Sequence, residues 1–318
     1  MKKKKVFVAA STVLILSLLA ACSALKPTPV PTQTPQVLPS TGVQYHFVTN
    51  RLLIPTSQAL TQEFALNVDG DSQQRADNLF GNLLSLLTSA APSLELQATL
   101  DQVINSGQLV SLHVVKADDP QNDPSVSWSI FLGQNAASAP IFDGTDQFMI
   151  DAAAPSNSPI IGSLTNGHFS GGPGTARVRI SLLGQSIDVD LIGIRIESDL
   201  GAAGCSNGKL GGGVTVQDFS EKLLPAIAVG LNQVIKIDTT AATVLLQAFD
   251  SNNDGEITSA ELESNPLLMI AISPDLDLLD ASGKFNPGQD GVKDSYSIGL
   301  GFTCVPANFT VLGDTLVP

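Results

Sequence analysis

The sequence predicts an α+β protein: an antiparallel, β-sandwich-like sheet core with flanking helices. Three observations predict it. The middle of the chain is a series of apolar runs that alternate with polar residues, the period of strands with one wet face. Stretches on both sides of that block carry leucines and other apolar residues at helical spacing instead. Turn residues, chiefly Gly, Asn, Asp and Pro, punctuate the segments at short intervals.

The elements follow in order. Gln44-Tyr-His-Phe-Val48 reads as a first strand, with a further apolar run around Leu52. Leu79, Leu83, Leu86 and Leu87 form one helical stripe, and Leu96, Leu100, Val103 and Ile104 a second; Pro92 separates them and Asn105-Ser-Gly107 stops the second. Leu109 to Val115, Val126 to Leu132, Phe148 to Ala152, His168 to Phe169, Ala176 to Leu183 and Ile187 to Glu197 are strand candidates, with a hairpin turn at Gly184-Gln185. Gly171-Gly172-Pro173-Gly174 and Gly211-Gly212-Gly213 read as loops. Residues 214–248 return to helix, with Thr215 or Asp218 as cap and Phe219, Leu223, Ile227 and Leu231 as its stripe; a further helix runs from about Thr240 to Phe249. Tyr296, Ile298, Leu300 and Phe302 alternate in a last strand, which is expected to close the sheet of the middle region.

The N-terminus has another organisation. Lys2 to Lys5 are a positive n-region and Val6 to Leu18 an apolar run too short to span a bilayer comfortably. Leu19-Ala20-Ala21-Cys22 follows, and it resembles the lipobox of bacterial lipoproteins. The resemblance implies cleavage before Cys22 and lipid on its thiol, with firm anchoring because more than one acyl chain is attached. Residues 22–42 then form a Pro/Thr-rich tether, in which proline at every second to fourth position favours an extended spacer. Leu38-Pro39-Ser40-Thr41-Gly42 matches a cell-wall sorting pattern, but such signals act near a C-terminus, so it reads as part of the tether. The organisation expected is thus residues 1–21 signal peptide, 22–42 tether and 43–318 a folded α+β region. Ser23, not Asp, follows the cysteine, which favours the outer membrane in a cell with two membranes.

Composition narrows the partners. Apolar residues make up 43% of the 318, enough for a substantial core. The formal charge is −14, and loss of the four n-region lysines takes the mature chain to about −18. Such a surface offers nothing to phosphates, which excludes nucleic acid, and it suits cations. Two cysteines remain beyond Cys22. Cys205 and Cys304 form either a disulfide, which an exported setting favours, or two separate buried thiols.

One motif carries chemistry. Asp250-Ser-Asn252-Asn-Asp254-Gly255-Glu256-Ile257-Thr258-Ser-Ala-Glu261 resembles the calcium loop of EF-hand proteins over all of its positions. Ca²⁺ takes six to eight oxygen ligands. The resemblance implies side-chain oxygens from Asp250, Asn252 and Asp254, the backbone carbonyl of Glu256, Thr258 directly or through water, and both carboxylate oxygens of Glu261. Gly255 supplies the left-handed turn and Ile257 packs the loop on the core, in a helix-loop-helix spanning about 240–270. No second loop of this quality pairs with it, and Pro266 shortens or restarts the outgoing helix, so a structural ion fits better than a cooperative sensor. Two weaker acidic loops are calcium candidates: Asn67, Asp69, Asp71 and Asp77, and then Asp290 and Asp294. Both lack a closing glutamate at the right offset, and Arg75 and Lys293 lie within or beside them.

His46, His113 and His168 lie far apart, and no nucleophile elbow, zinc-protease helix or phosphate loop is present. Ser273 to Asp280, Asp290 to Ser295 and Gly299 to Thr303 make the chain similar to uncharacterised exported bacterial proteins with an acidic turn, an EF-hand-like loop and a C-terminal strand. The sequence therefore points to a lipid-anchored, extracytoplasmic calcium-binding protein of the cell envelope, a binding or surface module for an unidentified protein or surface ligand. A secreted hydrolase stabilised by calcium is the alternative. A histidine meeting a carboxylate or serine in a pocket would favour it.

Overall fold

A computed structural model of the chain describes residues 42–71, 76–90, 92–152 and 158–310. The signal segment, Cys22, the tether up to Thr41 and Arg75 lie outside the described residues. The α+β class with a sheet core is what the chain adopts, but the sheet is a closed barrel and not a sandwich. Eight strands run in chain order, each antiparallel to the next, and the last pairs with the first: β1 (Val43–Leu53), β2 (Ser111–Ala117), β3 (Asp123–Leu132), β4 (Ile160–Thr165), β5 (His168–Leu182), β6 (Gln185–Gly201), β7 (Gly204–Thr215) and β8 (Ser295–Pro306). Closure removes the open edges that a two-sheet packing leaves. The alternation that suggested one wet face is the inside/outside alternation of barrel strands.

Inside the barrel the fully buried side chains include Trp128, Ile130, Ile160, Phe169, Leu191, Ile194 and Ile196. Trp128 packs on Phe169 and, edge-on, on Phe302, with centroids 5.0 and 6.0 Å apart. Outside, Arg177 and Arg179 of β5 stand directly across from Asp190 and Asp188 of β6, and each guanidinium makes two hydrogen bonds to its carboxylate at 2.6–2.9 Å.

Other sequence expectations change as well. Phe148 to Ala152 is not a strand and makes only an isolated bridge, Gly133 to Ile150. It belongs to a segment that covers Val48 and Leu112 on the outer face of the barrel. His168–Phe169 and Ala176–Leu183 are one continuous strand, broken in register between Gly171 and Thr175. The glycine runs at 171–174 and 211–213 lie within β5 and β7, not in loops. They read as loops because glycine is a poor strand former, but here absence of a side chain is the requirement. Leu66 and Val68 lie over Gly211, and a Cβ on Gly213 would overlap Leu278.

Helices close one end of the barrel. α1 (Gln58–Glu63), α2 (Leu79–Ala90) and α3 (Leu96–Asn105) fill the β1–β2 connection. Phe80 and Leu84 of α2 and Leu100 of α3 meet Leu52, Ile180, Leu182, Ile298 and Leu300 there. The β7–β8 connection holds α4 (Val216–Asp218), a π-helical turn Phe219–Leu223, α5 (Leu224–Ile237), α6 (Thr239–Phe249), α7 (Ser259–Ser264) and α8 (Pro266–Ala271). Thr215 caps the first of these, its hydroxyl accepting from the Asp218 N–H at 3.1 Å, and Asp238 caps α6 by accepting from Thr240 and Ala241. The turns 118–122, 166–167 and 202–203 lie at the other end of the barrel. There Cys205 and Cys304 face each other across β7 and β8 and are joined by a disulfide, with Cα atoms 4.8 Å apart.

Asn78 fastens the α1–α2 layer to β8. Its Oδ1 accepts from the N–H groups of Gly299 and Gly81 at 2.8 and 3.0 Å, and its Nδ2 donates to the carbonyls of Gly299 and Thr61, both at 3.1 Å. Pairing of β1 with β8 ends at Leu53–Gly301, and two residues further in, the Asn78 amide bonds Gly299 as a neighbouring peptide group would. Asn78→Ala leaves two buried backbone groups of β8 unpaired, at about 1–3 kcal/mol each. Urea unfolding of the variant is expected to show a loss of at least about 2 kcal/mol. A loss below about 0.5 kcal/mol would mean that water replaces the amide.

Candidate functional site

The segment 250–258 joins α6 to α7, and its conformation follows from its short polar side chains. Asp250 Oδ1 and Oδ2 accept from the N–H groups of Asp254 and Gly255 at 3.2 and 2.9 Å. Asn252 Oδ1 accepts from Asp254 N–H at 2.8 Å, and Asp254 Oδ1 from Glu256 N–H at 2.9 Å. These side-chain-to-backbone bonds two to five residues ahead curl the chain around the three side chains. Gly255 takes φ +88° at the crest and nothing lies near its Cα hydrogens, so its role is conformational.

Glu261 closes the curl from the far side. Its Oε1 accepts from the Ser251 N–H, the Ser251 hydroxyl and the Asn252 N–H at 3.0–3.3 Å. Its Oε2 accepts from the Thr258 N–H and hydroxyl, both at 3.0 Å, while Thr258 Oγ1 accepts in turn from Glu261 N–H at 3.2 Å. This reciprocal pair is a capping box that starts α7. These bonds to the charged form, led by that from the Thr258 backbone, hold the Glu261 carboxyl down at about 2. Glu256 offers its carbonyl from an exposed position, and its side chain points to no partner within the loop.

Asn232 of α5 holds the middle of the loop, and sequence reading did not single it out. Its Oδ1 accepts from Ile257 N–H at 2.8 Å and its Nδ2 donates to the Ile257 carbonyl at 2.7 Å. One amide thereby satisfies both backbone groups of a residue that is 1% exposed and packed in the main core. Asn265 ties the far end, donating to the Ala248 carbonyl at 2.8 Å. The partner residue lies 25 positions upstream, and nothing in the local sequence marks it.

The weaker loops are organised differently. Asn67 and Asp69 both accept from Asp71 N–H at 3.0 Å, and Asp77 accepts from Val68 N–H at 3.0 Å. Burial, then the nearby charges of Asp69, Asp275 and Asp71, push the Asp77 carboxyl up to about 6. Lys293 lies 3.9 Å from Asp69. Asp294 accepts from the Leu278 and Leu279 N–H groups and from the Ser295 hydroxyl, and Asp290 accepts from Val292 N–H. Beside them Asp277 accepts from Gly291 N–H at 2.8 Å through one oxygen, and its other oxygen is buried without a hydrogen-bond partner. Among the described residues, no group of three or more His, Cys, Asp or Glu side chains is arranged to hold a metal ion. At the main loop the side-chain oxygens of Asp250, Asn252, Asp254 and Glu261 accept from N–H groups of the loop itself.

The three histidines lie in separate places, each with its own partners. His113 is buried between Trp128, whose Nε1–H donates to Nδ1 at 3.1 Å, and Thr49, whose hydroxyl lies 2.7 Å from Nε2. Because an indole nitrogen only donates, the neutral ring carries its proton on Nε2 and gives it to Thr49, so it is no base toward that hydroxyl. Burial holds its pKa down at about 3. His168 and Asp199 pair at 2.7 Å on the barrel rim, with Asn207 donating to the second Asp199 oxygen at 2.8 Å. None of the hydrogen bonds described here joins the His168 ring to a hydroxyl or thiol. His46 stacks on Phe309.

The Asp77 shift has a testable sign. A carboxyl raised in the fold adds stability below its unfolded value near 4 and loses it as pH rises through about 6. Asp77→Asn keeps an acceptor for Val68 and removes the buried charge. With screening allowed for, chemical denaturation is expected to find it about 1 kcal/mol more stable than the parent at pH 7.5 and equal to it at pH 3.5. A variant less stable at pH 7.5 would contradict the upward shift.

No family model, no curated protein and no solved structure matches this chain.

Proposed function

We propose that the protein is a calcium-binding module of a bacterial cell envelope, held outside the cytoplasm by lipid on Cys22, with the ion serving mainly to stabilise the fold. The observation that carries the calcium part is the segment 250–261. Asp250, Asn252 and Asp254 are pre-oriented by their own turn bonds, Glu261 stands across from them, and Asn232 and Asn265 fix the loop to the helices around it. The donor set is all oxygen, hard and net anionic, which suits Ca²⁺. Binding requires Glu261 to turn from the Ser251 and Asn252 N–H groups toward the ion, a rearrangement within one loop.

The anchoring part rests on the lipobox-like Leu19-Ala20-Ala21-Cys22 and the proline-rich stretch behind it. The Cys205–Cys304 disulfide supports an oxidising compartment. In an envelope, millimolar calcium keeps a loop of modest affinity filled, and an acidic surface stays soluble beside the membrane. The barrel is then a rigid body presented on a tether, and its exposed loops are the surface on which a partner would act.

Isothermal titration of the full mature chain with CaCl₂ is expected to give one site with Kd of roughly 10⁻⁴–10⁻³ M, and millimolar Ca²⁺ to raise Tm relative to chelator. Glu261→Gln is expected to weaken binding at least tenfold. Absence of a heat signal, together with an unchanged Tm, overturns the calcium reading. For the anchor, Cys22→Ala expressed in a two-membrane bacterium is expected to shift the protein from the outer-membrane fraction to the soluble one. Retention of the variant on the membrane overturns lipidation at that residue.

A further inference from the structure

The helices close one end of the barrel, and the other end opens on a cavity of about 240 Å³. Its wall is made by inward-facing side chains near the strand ends: Tyr45 and Phe47 of β1, Val115 and Ala117 of β2, Leu164 of β4 and Leu200 of β6. Pro120, Gln121 and Ala202, from the turns above, form the lip. Among the described residues no charged side chain lines it, and almost all of the lining surface is apolar. For scale, an apolar cavity of about 150 Å³ takes a benzene molecule. A space of this size at the mouth of an eight-stranded barrel has room for one ring or a short alkyl chain.

The charge around the mouth is one-sided. The β2–β3 turn that supplies Pro120 and Gln121 also carries Asp118 and Asp119, both exposed, and Asp123. Asp199 adjoins Leu200. Among the described residues the basic groups near this rim include His168, paired with Asp199, and Lys116, which points outward from β2 between Val115 and Ala117. A ligand whose apolar end sits among Tyr45, Phe47 and Leu164 would bring its other end out beside carboxylates. An anionic head would be repelled there and a cationic one attracted. Two aromatic rings in the wall add a further preference for an onium group passing near them.

We propose that the open mouth of the barrel is a binding site for a small amphiphile with a short apolar tail and a cationic head. The tail fills the cavity and the head lies against the Asp118–Asp119 turn. The site is independent of the calcium loop, which lies on the helical side of the fold.

Three probes that share a tail test this on the full mature chain by isothermal titration: octyltrimethylammonium, 1-octanol and octanoate, each below its aggregation limit. The expected order is cation tightest, alcohol weaker by several-fold and carboxylate weakest, with one site. Leu200→Trp fills the cavity from the lip and is expected to weaken the cation at least tenfold; Ala202→Trp, in an exposed turn, repeats the test should the first variant not fold. Asp118→Asn with Asp119→Asn is expected to bring the three probes together without abolishing binding. No binding of the cation at millimolar concentration overturns the proposal. So does octanoate binding as tightly as the cation, or a cation affinity left unchanged by the tryptophan that folds.

Discussion

Closure of the barrel by β8 is the constraint on which the remainder of the structure rests. β8 pairs with β7 from Cys205–Cys304 to Thr215–Ser295 and with β1 from Phe47–Pro306 to Leu53–Gly301. It joins the last strand to the first. It also fixes both ends of the long helical excursion between β7 and β8, because Thr215 and Ser295 face each other in the ladder. The outer face of β7 and β8 is built of Gly211, Gly213, Gly299 and serines, so the segments around Leu66 and Leu276 can lie directly on the sheet. Larger residues there would hold that layer off and leave Leu276 and Leu278, both fully buried, in water.

Two asparagines solve the same problem at two places. An antiparallel strand satisfies the N–H and C=O of its neighbour, and where the neighbour ends those groups need another partner. Asn78 supplies it to Gly299 and Asn232 supplies it to Ile257, each through one donor and one acceptor of a primary amide. The first attaches the α1–α2 layer to the barrel. The second sets the height of the 250–261 loop on α5, and through the buried Ile257 side chain couples that loop to the main core. A loop so held keeps the turn bonds of Asp250, Asn252 and Asp254 and the Glu261 contacts in one arrangement.

Much of the fold was legible in local pattern. Tyr296, Ile298, Leu300 and Phe302 alternate and do close the sheet, and Pro92 does separate two helices. The period-2 pattern cannot tell a barrel from a sandwich, because both alternate inside and outside; only the neighbour order of all eight strands decides it. β7 was missed since Gly211 and Gly213 serve close approach of the outer layer, and β4 since it is short and its Gly162 packs against Phe169 and the β5 backbone, requirements that no local pattern shows. The acidic loop was visible because twelve consecutive positions carry it, whereas Asn232 was not, since its role depends on α5 lying against Ile257. The mouth cavity has no sequence signature at all: its wall is contributed by the ends of several strands.

The central claim, that the 250–261 loop is a calcium site wedged between α5, α6 and α7, is tested most directly by amide hydrogen exchange of the full mature chain with millimolar Ca²⁺ and with chelator. The account predicts that calcium slows exchange at Gly255, Ile257 and Glu261 and along the adjoining turns of α6 and α7, while the barrel strands keep their rates. Identical exchange at those amides in the two conditions would contradict it.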